Sequence, residues 1–183
     1  MNDTLLLDPV RVLRGPGHSV QLGAVLINQG VLVGFDDEAR QQALGLGIKA
    51  SPAADQLVAP CLVDPHSILE TPFSGDQETA VSLRHCAAAG GYGQIGLLPR
   101  SSSWRDCPER LQGFSLDQDQ TATVRLHLWG GFSRGGKADE LAPHGDLLEH
   151  GAIGLADDDA MLPTPLLERG LLLGEMGCYP VLV

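Results

Sequence analysis

The chain is short of positive charge. Its 183 residues hold 12 Lys and Arg against 23 Asp and Glu, a formal net charge of −11. That balance argues against a nucleic-acid surface or an anionic-membrane surface, since both need clustered cations. Long apolar runs are also missing: none reaches the roughly 18 residues that a membrane-spanning helix requires. The opening Met1-Asn2-Asp3-Thr4 has no basic region of the kind that starts a signal peptide. A soluble cytoplasmic protein is therefore expected. Cysteines stand only at 61, 86, 107 and 178, with no C-x-x-C pair and no His spacing that completes a zinc finger. Reduced and mostly buried thiols are expected rather than a disulfide framework. No G-x-G-x-x-G follows an apolar strand, and a P-loop is absent. What remains is a chain with 43% hydrophobic residues, enough to build a core of ordinary size.

The first 60 residues read as β-rich. Residues 4–13 alternate around Leu5, Leu7 and Val10, and Gly15-Pro16-Gly17 marks a turn. Residues 19–35 read as two strands around Asn28-Gln29-Gly30. Residues 36–46 read as a short helix with Asp36, Asp37 and Glu38 loading its first turn, where acid suits the helix dipole. Residues 56–60 read as another short strand. From about residue 60 the texture changes. Apolar segments at 62–63, 95–98, 124–128, 152–155 and 181–183 recur at roughly 30-residue spacing, as βαβ units do. Helices are expected at 77–89, capped by Ser74 or Asp76 and stopped by Gly90-Gly91, at 138–150, and from 163 to about Met176. Residues 104–112 are less regular because of Pro108. The expected architecture is α/β with a parallel sheet, either an open doubly wound sheet or a closed (β/α)8 barrel. The division falls between a β-rich segment at 1–59 and a β/α domain at 60–183.

Two segments stand out as chemistry. His66 directly follows the apolar strand Leu62-Val63, at the carboxyl end where parallel α/β folds build their sites. Against that stands a strand-end histidine satisfied by backbone. Asp157, Asp158 and Asp159 follow the strand Ala152–Leu155 and make hard ligands for a cation, with a solvated turn or a helix cap as the alternative. Asp157 comes first and is the best placed. His127, inside a strand beside Trp129, is a secondary candidate. His85 reads as a helix-face residue, and His144 and His150 lie on the expected helix 138–150, His150 near its end. Arg134-Gly135-Gly136-Lys137 reads as a loop, and Gly90-Gly91-Tyr92-Gly93 as a cap and turn.

Residues 57–70, which run through Asp64-Pro65-His66-Ser67-Ile68-Leu69-Glu70, resemble the Asp-x-His-x-His-x-Arg signature of the dihydroorotase branch of the cyclic amidohydrolases. Residues 87–99 resemble the next element of that family, a helix end, Gly-Gly, a strand and Pro-Asn. Residues 151–158 resemble its Gly-Ala-x-x-x-x-Asp-Asp strand. Trp129-Gly130 and Glu140-Leu141-Ala142-Pro143 fall in register. The resemblance implies a partial (β/α)8 TIM barrel, about the first half, preceded by part of a composite β-sandwich. It further implies zinc chemistry on a cyclic amide, interconverting dihydroorotate and carbamoyl aspartate in pyrimidine biosynthesis, with His66, Asp157 and Asp158 at metal positions and Glu70 and Arg100 at substrate-clamp positions.

The departures carry as much information. The family's second histidine falls on Ile68, its Arg on Glu70 and its Asn on Arg100. An acid in place of the Arg repels a substrate carboxylate instead of pairing with it. The family's later His and catalytic Asp are expected beyond Val183. With only four β/α units and a fifth strand, the chain is short of the eight a barrel needs. An incomplete barrel that needs a partner, or is marginally stable, is expected. Two readings follow: a zinc-dependent dihydroorotase-like hydrolase, or a non-catalytic homologue that supports an aspartate transcarbamoylase-type subunit or self-associates. A fragment of a longer product is the third.

Overall fold

The computed structural model describes residues 4–69, 78–100, 104–113, 123–157, 161–173 and 177–182. The chain divides into two compact units, residues 1–60 and 61–183.

The first unit is a four-stranded sheet in the order β3-β2-β1-β4, built from β1 (Thr4–Val12), β2 (Gln21–Asn28), β3 (Val31–Phe35) and β4 (Ala50–Val58). β1 and β2 pair antiparallel, as do β2 and β3, while β4 runs parallel to β1. The expected hairpin forms at the expected place. Gln29 and Gly30 sit at φ 50° and 75°, the positive pair that a two-residue primed turn demands. β4 begins at Ala50, six residues ahead of the expected strand, because it pairs along β1 despite its weak apolar pattern. Pro9 falls in the β1 bulge between Leu7 and Val10, where a missing ladder donor is tolerated. Helix α1 (Asp36–Gly45) ends with Gly47 at φ 67° and with Ile48 N donating to Ala43 O at 2.9 Å. That is a Schellman stop, and Ile48 closes it by packing onto the cluster of Leu6, Ala24, Leu26, Ala39 and Ala43.

The second unit is a parallel sheet. β5 (Leu62–Ser67), β6 (Tyr92–Leu97) and β7 (Arg125–Leu128) form one ladder. β8 (Gly130–Gly131), β9 (Leu155–Ala156) and β10 (Val181–Leu182) form the other. Only Trp129 separates β7 from β8. Its amide donates to Leu97 O at 3.0 Å, and Ile153 N donates to Leu128 O at 2.9 Å. The run 125–131 is thus one strand with β6 on one side and β9 on the other. Strand order follows chain order throughout, without the reversal of a doubly wound sheet.

Helices α2 (Ala80–Ala89), α3 (Pro108–Gly113), α4 (His144–Glu149) and α5 (Thr164–Leu172) occupy the four crossovers. On one face of the sheet Ile95, Leu97, Leu126 and Leu128 pack with Leu83 and Ala87 of α2. Phe132 and Leu155 pack with Leu147 and Leu148 of α4.

Three helix expectations need correction. α2 starts at Ala80, not 77: its cap is Thr79, whose side chain accepts from Ser82 N while Ser82 Oγ accepts from Thr79 N, a reciprocal box. Ser74 and Asp76 lie outside the described residues. The helix expected at 138–150 shrinks to α4. Ala138 stands at φ 56°, Leu141 bridges Ser133, and Ala142 N donates to Phe132 O at 3.0 Å. Pro143 disfavours helical geometry in the residue before it, so the segment serves the strand end instead. α5 stops at Leu172, and residues 174–176 lie outside the described residues.

Candidate functional site

Parallel strands place their carboxyl ends together, and each candidate can be located relative to that rim. His66 stands at the end of β5 with its side chain 62% exposed. Its partner is Asp64 rather than a backbone carbonyl. Asp64 Oδ1 accepts from His66 N at 3.1 Å and lies 3.7 Å from His66 Nδ1, while Ser67 Oγ donates to Asp64 Oδ2 at 2.6 Å. The Ser67 hydrogen bond, with help from His66, holds the Asp64 carboxyl below its ordinary range. Two residues on, Ile68 is half-buried against Leu98, Trp129 and Ala156. Arg100 follows β6 and is half-buried. Glu70 and Asp158 lie outside the described residues.

Asp157 ends β9 and is only 9% exposed. Its Oδ1 accepts from the amides of Phe132 and Ser133 at 3.2 and 3.1 Å, tying the end of β8 to the end of β9. Its Oδ2 is buried without a hydrogen-bond partner among the described residues. Burial pushes the carboxyl up from its ordinary value, against hydrogen bonds from Ser133 and Phe132 and the nearby His144. His144 was expected on the helix 138–150. It opens α4 fully buried, its Nε2 donating to Phe132 O at 2.8 Å and its ring 4.7 Å from the Phe132 ring. Its Nδ1 is also buried without a partner among the described residues.

The other candidates have local roles. His127 Nε2 meets Gln94 Oε1 at 3.1 Å across β6 and β7. His150 Nδ1 donates to Asp146 O at 2.7 Å, at the end of α4. His85 is an exposed residue of α2. Arg134 begins a 3-10 turn at 134–136 and lies 3.6 Å from Glu140. The thiols are free but not mostly buried: Cys61, Cys86 and Cys178 are exposed and Cys107 is half-buried. Cys86 shows why, since it lies on the solvent flank of α2 one position before the buried Ala87.

Sequence reasoning missed Arg105 and the reach of Trp129. Arg105 is 1% exposed and donates from Nε to Trp129 O at 3.1 Å and from Nη2 to Leu97 O at 2.7 Å. It clamps the ends of β6 and β7, and burial pulls its pKa down to about 10. Nothing local in the irregular stretch before Pro108 signals this. Trp129 Nε1 donates to Pro65 O at 2.7 Å, across Gly96 of the intervening strand.

A zinc centre needs three or four convergent nitrogen, sulfur or oxygen donors. Among the described residues no group of three or more His, Cys, Asp or Glu is arranged to hold a metal. His66 points to solvent beside Asp64, Asp157 is committed to two backbone amides, and Ile68 contributes a hydrocarbon. The described residues do not fit the zinc centre implied by the resemblance.

No protein-family model matches the chain. A probable dihydroorotase-like protein of Synechocystis sp. is 29% identical over 151 residues, 71% of this chain and 34% of that protein. A dihydroorotase of Anaeromyxobacter sp. is 25% identical over 172 residues, 93% of this chain and 39% of that protein. The chain thus spans between a third and two fifths of the length of these relatives. Among solved structures, a dihydropyrimidinase from Brevibacillus agri superposes with a TM-score of 0.71 at 16% identity, over 97% of this chain and 39% of that one. A D-aminoacylase described as defining a subset of amidohydrolases superposes with a TM-score of 0.60 at 13% identity, over 97% and 44%. The sequence matches support a divergent dihydroorotase-like protein, and the solved hydantoinase-type and aminoacylase structures share its fold.

Proposed function

We propose that the chain is a non-catalytic dihydroorotase homologue, an amidohydrolase scaffold whose metal positions have been given over to packing. The second unit corresponds in this reading to the first five strands of a (β/α)8 barrel, and the first unit to part of the accompanying β-sandwich. The observation that carries the proposal is the company Ile68 keeps. At the position of the family's second histidine it packs with Leu98, Trp129 and Ala156, a dry cluster that offers no ligand. Asp157, at the family's Asp position, binds backbone amides instead of converging with His66.

The role that fits such a scaffold is structural. Leu62 and Val63 on β5, the outermost strand of the sheet, are 54% and 57% exposed, which supports a surface that is covered in the working assembly. A second copy of the chain or an aspartate transcarbamoylase-type subunit is the proposed cover. The enzymatic alternative is reversible hydrolysis of dihydroorotate to carbamoyl aspartate. Purified chain is expected to hold substoichiometric zinc and to leave dihydroorotate unchanged. Turnover together with one zinc per chain overturns the proposal. Size-exclusion chromatography, alone and mixed with a transcarbamoylase catalytic subunit, tests the assembly, and a monomer in both cases counts against the structural role.

A further inference from the structure

The sheet of the second unit has two faces, and the one turned away from α2 and α4 is organised around a single side chain. Residues that pair across a parallel ladder share a face, so Gly96 and His127 lie together, and Trp129 follows His127 by two positions on the same side. The Trp129 indole lies across this face in both directions. A Cβ at Gly96, on β6, would stand 2.8 Å from its Nε1, and a Cβ at Gly154, just before β9, would stand 2.5 Å from its Cζ3. Both distances are closer than real Cβ contacts allow, so the indole has its space only because both neighbours are glycine. Its Nε1–H donates to Pro65 O on the next strand over, which satisfies the one polar atom of a side chain that is 95% buried. Around it stand Ile68, Leu98, Ala156 and Leu182, from the ends of β5, β6, β9 and β10, and Ile153 from just before β9. Glycines on both flanks and a hydrogen bond at the tip describe a seated side chain.

We infer that Trp129 is a plug that turns the strand-end cavity into dry core, and that this filling, more than the loss of a histidine at Ile68, keeps a metal out. The inference rests on the non-catalytic reading above, but it makes a different claim. If lost ligands alone silenced the site, restoring one restores binding. If the cavity is filled, Ile68 and Trp129 form one packing unit. An imidazole placed at 68, two residues from His66, then finds the indole and its apolar neighbours where a metal would sit.

The test is zinc affinity, measured by competition with a chromophoric chelator on four chains: wild type, Ile68→His, Trp129→Ala and the double substitution. Wild type and Ile68→His are expected to bind alike and weakly, and the double variant tighter than Ile68→His on the order of ten-fold or more. Equal affinity for Ile68→His and the double variant overturns the plug and leaves the non-catalytic reading standing, whereas stoichiometric zinc on wild type sinks that reading itself. Because Trp129→Ala removes much of a core, Trp129→Leu is carried in parallel, and free indole is added to both. An apolar cavity of the right shape takes up an aromatic guest, so indole is expected to raise the melting temperature of each Trp129 variant and to leave wild type unchanged. No rise in either variant overturns the seat described here.

Discussion

Asp157 offers a sharp quantitative test, because two substitutions separate its hydrogen bonds from its charge. Asp157→Ala removes the acceptor of two buried amides. Phe132 N keeps a second acceptor, Ala156 O at 3.0 Å, but Ser133 N, in a fully buried residue, has no other acceptor among the described residues. Orphaning one buried amide costs about 1–3 kcal/mol, so urea unfolding at neutral pH should show a loss of that size. Asp157→Asn keeps the Oδ1 acceptor and removes the charge. The wild-type carboxyl titrates above its ordinary 3.8 because burial penalises the ionised form. In the pH window from that value up to the raised one, the folded chain holds more protons than the unfolded chain. The group's contribution to stability therefore falls as pH rises through the window and stays low at neutral pH. Asn does not titrate, so the variant should gain on wild type across the window. It should also be the milder substitution at neutral pH. Stability curves of both variants against pH, followed by circular dichroism, read the effect. A wild type that gains on Asp157→Asn as pH rises, or an Asn variant less stable than the Ala variant at neutral pH, refutes the reasoning.

Arg105→Ala should destabilise the second unit by about 3–5 kcal/mol, since it empties a buried site and takes donors from Leu97 O and Trp129 O; chemical denaturation measures this, and a change near zero contradicts the clamp. Gln29→Asn should stabilise by about 0.5–1 kcal/mol, because Gln29 sits at φ 50° in a turn that Asn enters with less strain; thermal melting checks it. Gly96→Ala should cost about 1–3 kcal/mol by overpacking, with its Cβ 2.5 Å from Pro65 O and 2.8 Å from the Trp129 ring nitrogen, and a shift in Trp emission should accompany the loss.

The local signals in the chain were legible where short-range physics decides. Asn28-Gln29-Gly30 between two apolar runs specified its hairpin, and the acids at 36–38 opened α1. The 30-residue rhythm of apolar segments became five parallel strands in chain order, and Gly90-Gly91 ended α2. The hairpin, the helix start and the helix stop depend on backbone geometry or side-chain chemistry within a few residues. The resemblance at 57–70, 87–99 and 151–158 was likewise readable as ordered motifs, and the curated relatives agree with it.

Other features were settled by partners far away in sequence. Residues 138–143 contain acceptable helix formers, yet Ala142 and Leu141 bond to the end of β8, a strand about ten residues earlier. His144, expected on the helix 138–150, is instead core, adding a second donor to the Phe132 carbonyl that Ala142 N already meets and packing its ring on Phe132. Arg105 carried no local mark at all, since its worth lies in two carbonyls that only the assembled β6 and β7 bring within its reach. The sequence by itself determined the order of elements and put an isoleucine, Ile68, where the resemblance expects a histidine. Tertiary structure alone decided what that isoleucine packs against. Whether an isoleucine is a gap in a metal site or a wall of a packed core depends on what stands opposite. Trp129 reaches that place only through the close approach of three strands over Gly96 and Gly154.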